Sequence, residues 1–317
     1  MRAIRDSRRL RAWAMAALLA TSSVGLAPLA CSDTPGPRPA TLVAEPVDLD
    51  DYTWLADWGE VPPSVGLEQR FPTPEGSARV DVDADSYAAW LRALPIRLDR
   101  RTVEDYRGRT LPFSGRWSAG VVPLDVGERD LQQCADTVLR LHAEWLWSMG
   151  DDAALRYHFT SGDESRFEDW LAGRRQVVEG NAVRTAEPGE FPTLSRDRAA
   201  LRGWLDQVFM YAGTRSLALD SEAVPLTEPL LPGDFLVRPG SPGHAVIILD
   251  VATTEDGEQL VLVGQGSMPA QELHVLRGDR EATVDGVWFR LPANADAAIP
   301  VPGWGALERS SARRLRA

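Results

Sequence analysis

Gly233-Asp234-Phe235-Leu236-Val237-Arg238-Pro239-Gly240-Ser241-Pro242-Gly243-His244-Ala245-Val246-Ile247-Ile248-Leu249-Asp250 reads as two strands joined by a tight turn. Phe235 to Val237 and Ala245 to Leu249 are rich in the β-branched and aromatic residues that suit a pleated, buried surface. Between them, two prolines fix φ and two glycines admit the positive φ that other residues resist. The stretch is therefore a β-hairpin. His244 stands at its mouth, the first residue of a strand that stays apolar until Asp250. An imidazole in that place is either a half-exposed residue bonded to a loop carbonyl or a functional group held at the rim of a sheet.

Upstream, Asp130-Leu131-Gln132-Gln133-Cys134 opens an apolar helix. Asp130 with Gln133 three residues later fits a capping box, and Cys134, Val138, Leu141 and Trp145 form an apolar stripe at helical spacing. Cys134 then falls in the first turn and faces inward, where unsatisfied amides and the positive end of the helix dipole favour a thiolate. The bland alternative is a small hydrophobe packed in the core. The chain has 2 cysteines, the other being Cys31.

A length of 317 residues and a 44% hydrophobic fraction are ordinary for a soluble globular protein. A formal net charge of -12 argues against nucleic acid as a partner, since neutralising phosphates needs clustered cations. Lysine is absent from the sequence, which excludes Schiff-base, Ser-Lys and P-loop chemistries. The 4 histidines, His142, His158, His244 and His274, show neither H-E-x-x-H nor H-x-H spacing, so no metal site and no cofactor is expected.

The first 30 residues read as an export signal: five arginines precede the apolar run Ala12 to Ala20, which is too short to span a membrane. Pro28-Leu29-Ala30-Cys31 resembles the lipobox of bacterial lipoproteins, which implies lipidation at Cys31 and contact with a membrane through the lipid anchor only. Residues 31–66 are expected to be a Pro-rich tether, its later part draped over the domain. One α+β domain is expected over 67–292, with an insertion at about 150–230 and a flexible tail over 293–317. Within it, Asp85 is expected to cap a helix carrying Tyr87, Trp90 and Leu91, Gln176 to Arg184 to form a hairpin, and Asp197 to Leu217 a long amphipathic helix. Gln259 to Gln265 follows the hairpin as an antiparallel strand whose end approaches His244.

From Arg70 to Leu291 the chain resembles an uncharacterised bacterial family, domain of unknown function 4846. The resemblance rests on R-F-P-T-P-E-G, S-Y-A-A-W-L-R-A-L-P, L-D-V-G-E-R-D-L-Q-Q-C-A-D, G-S-P-G-H-A-V-I and G-Q-G-S-M-P-A-Q-E-L-H-V-L. Over a narrower span, the Gln-Cys helix, the Gly-His hairpin and the strand after it resemble the papain-like CHAP and NlpC/P60 amidases and peptidases of the bacterial cell wall. That resemblance implies an antiparallel sheet packed on a nucleophile-bearing helix, with Cys134 as nucleophile, His244 as base, Gln265 as the polar residue orienting the imidazole and Gln133 as an oxyanion donor. His274 and Asp250 are lesser candidates for the orienting role. The function so implied is an exported, envelope-located thiol hydrolase with peptidoglycan or another peptide as substrate. The alternative is a non-catalytic envelope lipoprotein that binds glycan, peptide or a partner.

Overall fold

The computed structural model describes residues 51–316, so the export signal, the lipidation at Cys31 and most of the tether lie outside the described residues. The chain is mixed α and β. Ten strands make the main sheet: β1 (Ser77–Arg79), β2 (Ser118–Val121), β3 (Ser221–Ala223), β4 (Phe235–Arg238), β5 (His244–Thr254), β6 (Gln259–Gln265), β7 (His274–Leu276), β8 (Thr283–Val284), β9 (Trp288–Arg290) and β10 (Ala312–Leu315). Their order is β8-β9-β6-β5-β4-β10-β3, with β1 added beside β5 and β7 joining β6 to β2. Every pairing in it is antiparallel. The hairpin forms as β4 and β5, closing at the pair Arg238↔His244.

Four helices matter to the site: α1 (Tyr87–Arg92), α2 (Cys134–Met149), α3 (Phe167–Leu171) and α4 (Arg198–Tyr211). Helix α1 is capped by Ser86, whose side chain accepts from the Ala89 N–H at 3.2 Å, one residue later than the expected Asp85. Helix α4 is capped by Asp197, which accepts from the Ala200 N–H at 2.8 Å. It ends at Tyr211 rather than Leu217.

Strand β5 is apolar on both sides because both sides are covered. Ala245, Ile247 and Leu249 pack with Val138, Leu139 and Leu141 of α2 and with Trp204, Leu205 and Phe209 of α4. Val246, Ile248 and Val251 pack with Val261 and Val263 of β6 and with Ile299, Val301 and Leu307. A bulge between Ile248 and Asp250 shifts the alternation by one residue and turns Asp250 toward Arg79 and Arg92, which bond its two oxygens at 2.6 and 2.9 Å. Asp250 is thus consumed by a buried ion pair and leaves the set of candidates for orienting His244.

Two expectations about the ends need correction. The last 25 residues are not a tail: Ala298–Val301 and Gly305–Glu308 pair as a hairpin, and β10 runs between β4 and β3. The reason is burial, since without Ile299, Val301 and Leu307 the second face of β5 and β6 lies open to water. At the other end, residues 51–66 do more than drape. Tyr52 and Trp54 are core residues, Trp54 Nε1 donates to the Pro123 carbonyl at 2.8 Å, and the Trp90 indole donates to the Asp51 carbonyl at 2.8 Å.

The insertion shares this core. Tyr157, Phe167 and Trp204 form a packed aromatic group continuous with α2, and the short hairpins 156–166 and 176–185 close over it. If the C-terminal hairpin is structural, Ile299→Ala and Leu307→Ala each cost about 2–5 kcal/mol in urea unfolding. A change near zero in both would mark the segment as a dispensable tail.

Candidate active site

Helix α2 begins at Cys134, with Gln133 as its N-cap. The capping box lies one turn later than the sequence suggests. The Gln133 N–H donates to Asp136 Oδ2 at 3.0 Å, while Asp130 instead accepts from Gln133 Nε2 at 3.1 Å and from the Ala270 N–H at 2.7 Å. The loop before the helix is fixed from within. Arg140, buried on α2, donates to Asp125 Oδ2, Gln132 Oε1 and Glu144 Oε1, each at 2.7 Å. Each of these partners shares in compensating the buried Arg140 charge, so the position of Cys134 is set by a polar network as well as by its apolar stripe.

This helix start fits into a fork in the sheet. Strand β6 pairs with β5 only as far as Ile247↔Gly264, while its other edge pairs with β7 at Gly264↔Val275 and Gln265↔His274. The Ile248 N–H bonds the Asp234 carbonyl beside β4, so alternation sends the Ala245 N–H toward the side where β6 has left. The Cys134 thiol lies where that N–H acts to lower its pKa. Gly266, just past the fork, has no room for a side chain: a Cβ there would stand 2.2 Å from Thr137 Oγ1 and 3.1 Å from the Gln133 carbonyl.

His244 and Gln265 end the two strands of the fork. His244 Nε2 and Gln265 Oε1 are 3.0 Å apart, which makes Nε2 the protonated nitrogen and Nδ1 the basic one. Nδ1 has no hydrogen-bond partner. The imidazole is fully buried, lies flat against the Trp304 indole with ring centroids 4.5 Å apart, and follows Val246 and Ile248 on the face covered by the C-terminal hairpin. Trp304 is held in turn by its Nε1 donating to Ser267 Oγ at 3.3 Å. The fork therefore brings the start of α2 beside Ala245, while the paired His244 and Gln265 side chains lie on the opposite face of β5, under the C-terminal hairpin. No hydrogen bond joins the thiol to the imidazole. His274, the other candidate, places Nδ1 2.9 Å from the Glu272 carbonyl and packs beside Trp117, with no bond to His244.

Residues 67–314 match the family described as domain of unknown function 4846. The chain belongs to that family. No curated protein and no solved structure matches it. The family span takes in α2, the whole fork and the Trp304 hairpin, so every residue named at the site is part of the shared domain.

A cavity of about 610 Å³ opens over the start of α2. Its walls include Gln133, Cys134 and Asp136 from the helix, Gly240 to Gly243 from the β4–β5 turn, and Phe209, Met210 and Ala212 to Arg215 from the insertion. A second cavity, of about 480 Å³, opens over Gln265, Ser267 and Trp304, and Met268 lines both. The insertion thus contributes one wall of the space before Cys134.

Burial decides the charges. It pushes the Cys134 thiol above its ordinary range, with the hydrogen bond from Ala245 opposing and the Asp136 carboxyl adding to the rise. The expected low thiol pKa is not found, because a 7% exposed sulfur loses more from desolvation than the helix end returns. His244 is lowered by burial to about 4, with the Gln265 bond opposing. At neutral pH the site holds a thiol and a neutral imidazole. Asp136, absent from the sequence-based candidates, is raised by burial to about 8. Its signal was present in the sequence as the third residue after Gln133, hidden by assigning the cap to Asp130.

Two measurements probe this geometry. Gly266→Ala forces the helix start away from the fork and costs about 1–3 kcal/mol, part of which Thr137→Ala in the same chain restores. The same loss in both backgrounds would separate Gly266 from α2. The second concerns linkage. Asp136 has a folded pKa of about 8 against about 3.9 unfolded, so its contribution to stability is full below the unfolded value and is lost as pH rises through the folded one. Asp136→Asn has no such loss, and its melting temperature relative to wild type rises between about pH 4 and about pH 8. A constant difference would show a carboxyl that ionises normally.

Proposed function

We propose that this chain is a thiol hydrolase of amide bonds, with Cys134 as nucleophile and His244 as its base, arranged as in papain-like amidases. The observation that carries the reading is the fork: the start of α2 sets the Cys134 thiol beside the Ala245 N–H, and the residue before Ala245 is an imidazole bonded through Nε2 to Gln265, with Nδ1 unpartnered among the described residues. A histidine tethered on one nitrogen and open on the other is poised to take a proton.

Because thiol and imidazole are both neutral at rest, the Cys134 proton passes to Nδ1 as sulfur attacks the carbonyl carbon, and a preformed ion pair is not needed. The reading requires Sγ to exchange the Ala245 N–H for Nδ1 when substrate enters, consistent with apo contacts that tighten in the Michaelis complex. The resulting imidazolium gives its proton to the leaving amine, and a thioester remains for water activated by the same ring. Amides at the start of α2, with Gln133 beside them, serve the oxyanion. If the leader and Cys31 act as their sequence suggests, the protein works in the cell envelope as a lipoprotein or secreted enzyme. Peptidoglycan stem peptides are then the substrate at hand.

The second reading, a binding module without catalysis, draws on the burial of both groups and on Trp304 stacked over the imidazole. Release of new amines from purified peptidoglycan separates the two. The hydrolase reading expects Cys134→Ser to abolish release while the melting temperature holds, His244→Ala to cause a comparable loss, and the double variant to be little worse than either single one. It also expects iodoacetamide to label Cys134 in the folded protein at a rate that His244→Ala lowers. An inert wild type, or equal labelling in both proteins, favours the binding module.

A further inference from the structure

Asp136 is an acid with no evident work in the resting protein beyond one bond. Its side chain is 95% buried, judged from a relative exposure of 5%. Oδ2 accepts the Gln133 N–H at 3.0 Å, and Oδ1 has no hydrogen-bond partner. It forms no ion pair, although arginines elsewhere in the chain seek out almost every buried carboxylate, as at Asp250, Glu144 and Asp234. The charged and titratable groups that line the cavity with it are Asp130, Cys134 and Arg215. Asp130 is already bonded to Gln133 and Ala270, and Arg215 is an exposed rim residue.

A carboxylate so placed would carry a buried charge answered by no cation, only by the backbone amides of Gln133 and of Asp136 itself. A carboxylic acid would not, and with Oδ2 taken as acceptor its proton belongs on Oδ1. An O–H group there has no acceptor among the described residues, and the cavity that Asp136 shares with Cys134 is where one would come from.

We propose that Asp136 serves this site as a neutral acid whose Oδ1–H donates to a carbonyl oxygen of the ligand held in the cavity. The inference rests on the hydrolase reading for the identity of that carbonyl, the acyl group attacked by Cys134, but the donor itself does not depend on turnover. The hydrogen bond strengthens as the oxygen gains negative charge, and the proton stays on Asp136 throughout. The raised pKa of the group agrees with this role and bounds it, since the donor is lost as pH passes about 8. Asp136 also matters to its neighbour: while protonated it places no negative charge beside the thiol, whose ionisation a carboxylate there opposes.

The test is infrared difference spectroscopy of the full chain, wild type minus Asp136→Asn, before and after Cys134 is carboxamidomethylated with iodoacetamide, which puts an amide carbonyl into the cavity without any catalysis. The expected result is a carboxylic-acid C=O band at neutral pH that disappears as pH rises through about 8 and that moves to lower frequency after modification. A band absent at neutral pH, or present and unmoved by the amide, overturns the proposal. Kinetics on any amide substrate add a second arm: Asp136→Leu lowers kcat more than KM changes, Asp136→Asn keeps the larger share of kcat, and the wild-type fall in activity above about pH 8 is absent in Asp136→Asn. Asn and Leu variants that lose kcat equally, or an alkaline limb unchanged in Asp136→Asn, count against the donor. A protein that turns over no amide yet shows the shifted band would sink the hydrolase reading and leave the acid in place.

Discussion

The fork between β5 and β6 is the constraint on which the site depends. Two antiparallel strands normally exhaust each other's amides, and a helix start normally needs donors and acceptors of its own. Here β6 leaves β5 after Gly264 while keeping β7 on its other edge, so the Ala245 N–H faces no β6 partner and the first turn of α2 enters beside Gly266. The close approach works only with hydrogen at Gly266, because Thr137 Oγ1 and the Gln133 carbonyl occupy the space a methyl group would need. Everything chemical at the site follows from that insertion: the thiol meets the end of β5, and His244 and Gln265 stand on the strand ends that frame it.

How much of this the sequence disclosed varied with the kind of signal. The hairpin was plain because Pro239, Gly240, Pro242 and Gly243 punctuate two apolar runs, and the Gln176 to Thr185 hairpin turned at Gly180-Asn181 for the same reason. Cys134 at a helix start was legible from the apolar stripe behind it, and Gln265 beside His244 from the length of the strand and its antiparallel return. The C-terminal segment was misread because its strands are short and rich in Pro, Gly and Ala, a composition shared with disordered tails. The correction was implicit elsewhere: a β5 apolar at every position from Ala245 to Leu249 asks for cover on both faces, and α2 supplies only one. Trp304 could not be linked to His244 without that cover. The capping error has a local cause, since Asp130 and Asp136 each lie three residues from Gln133 and only the fold decides which of them caps.

The electrostatics of the site run against the simple picture of an activated thiolate. A helix dipole is worth most at an exposed or partly buried end, whereas Cys134 is a buried residue in the wall of the cavity that the β4–β5 turn and the insertion complete. Desolvation then dominates three neighbours in the same sense: it raises the thiol, lowers His244 and raises Asp136, so that all three are neutral together at neutral pH. Neutrality of each supports the others, because a carboxylate at Asp136 would oppose a thiolate, and a thiolate without an imidazolium would be a lone buried charge. On the hydrolase reading proposed above, such a site moves protons only when a ligand enters and supplies the missing partners. Buried neutrality, which looks at first like the mark of an inert core, is also what a general-base mechanism in a closed cavity requires. The difference between the two lies in whether Nδ1 of His244 and Oδ1 of Asp136, which like Tyr87 Oη, Trp170 Nε1 and His274 Nε2 have no partner among the described residues, find one in a ligand.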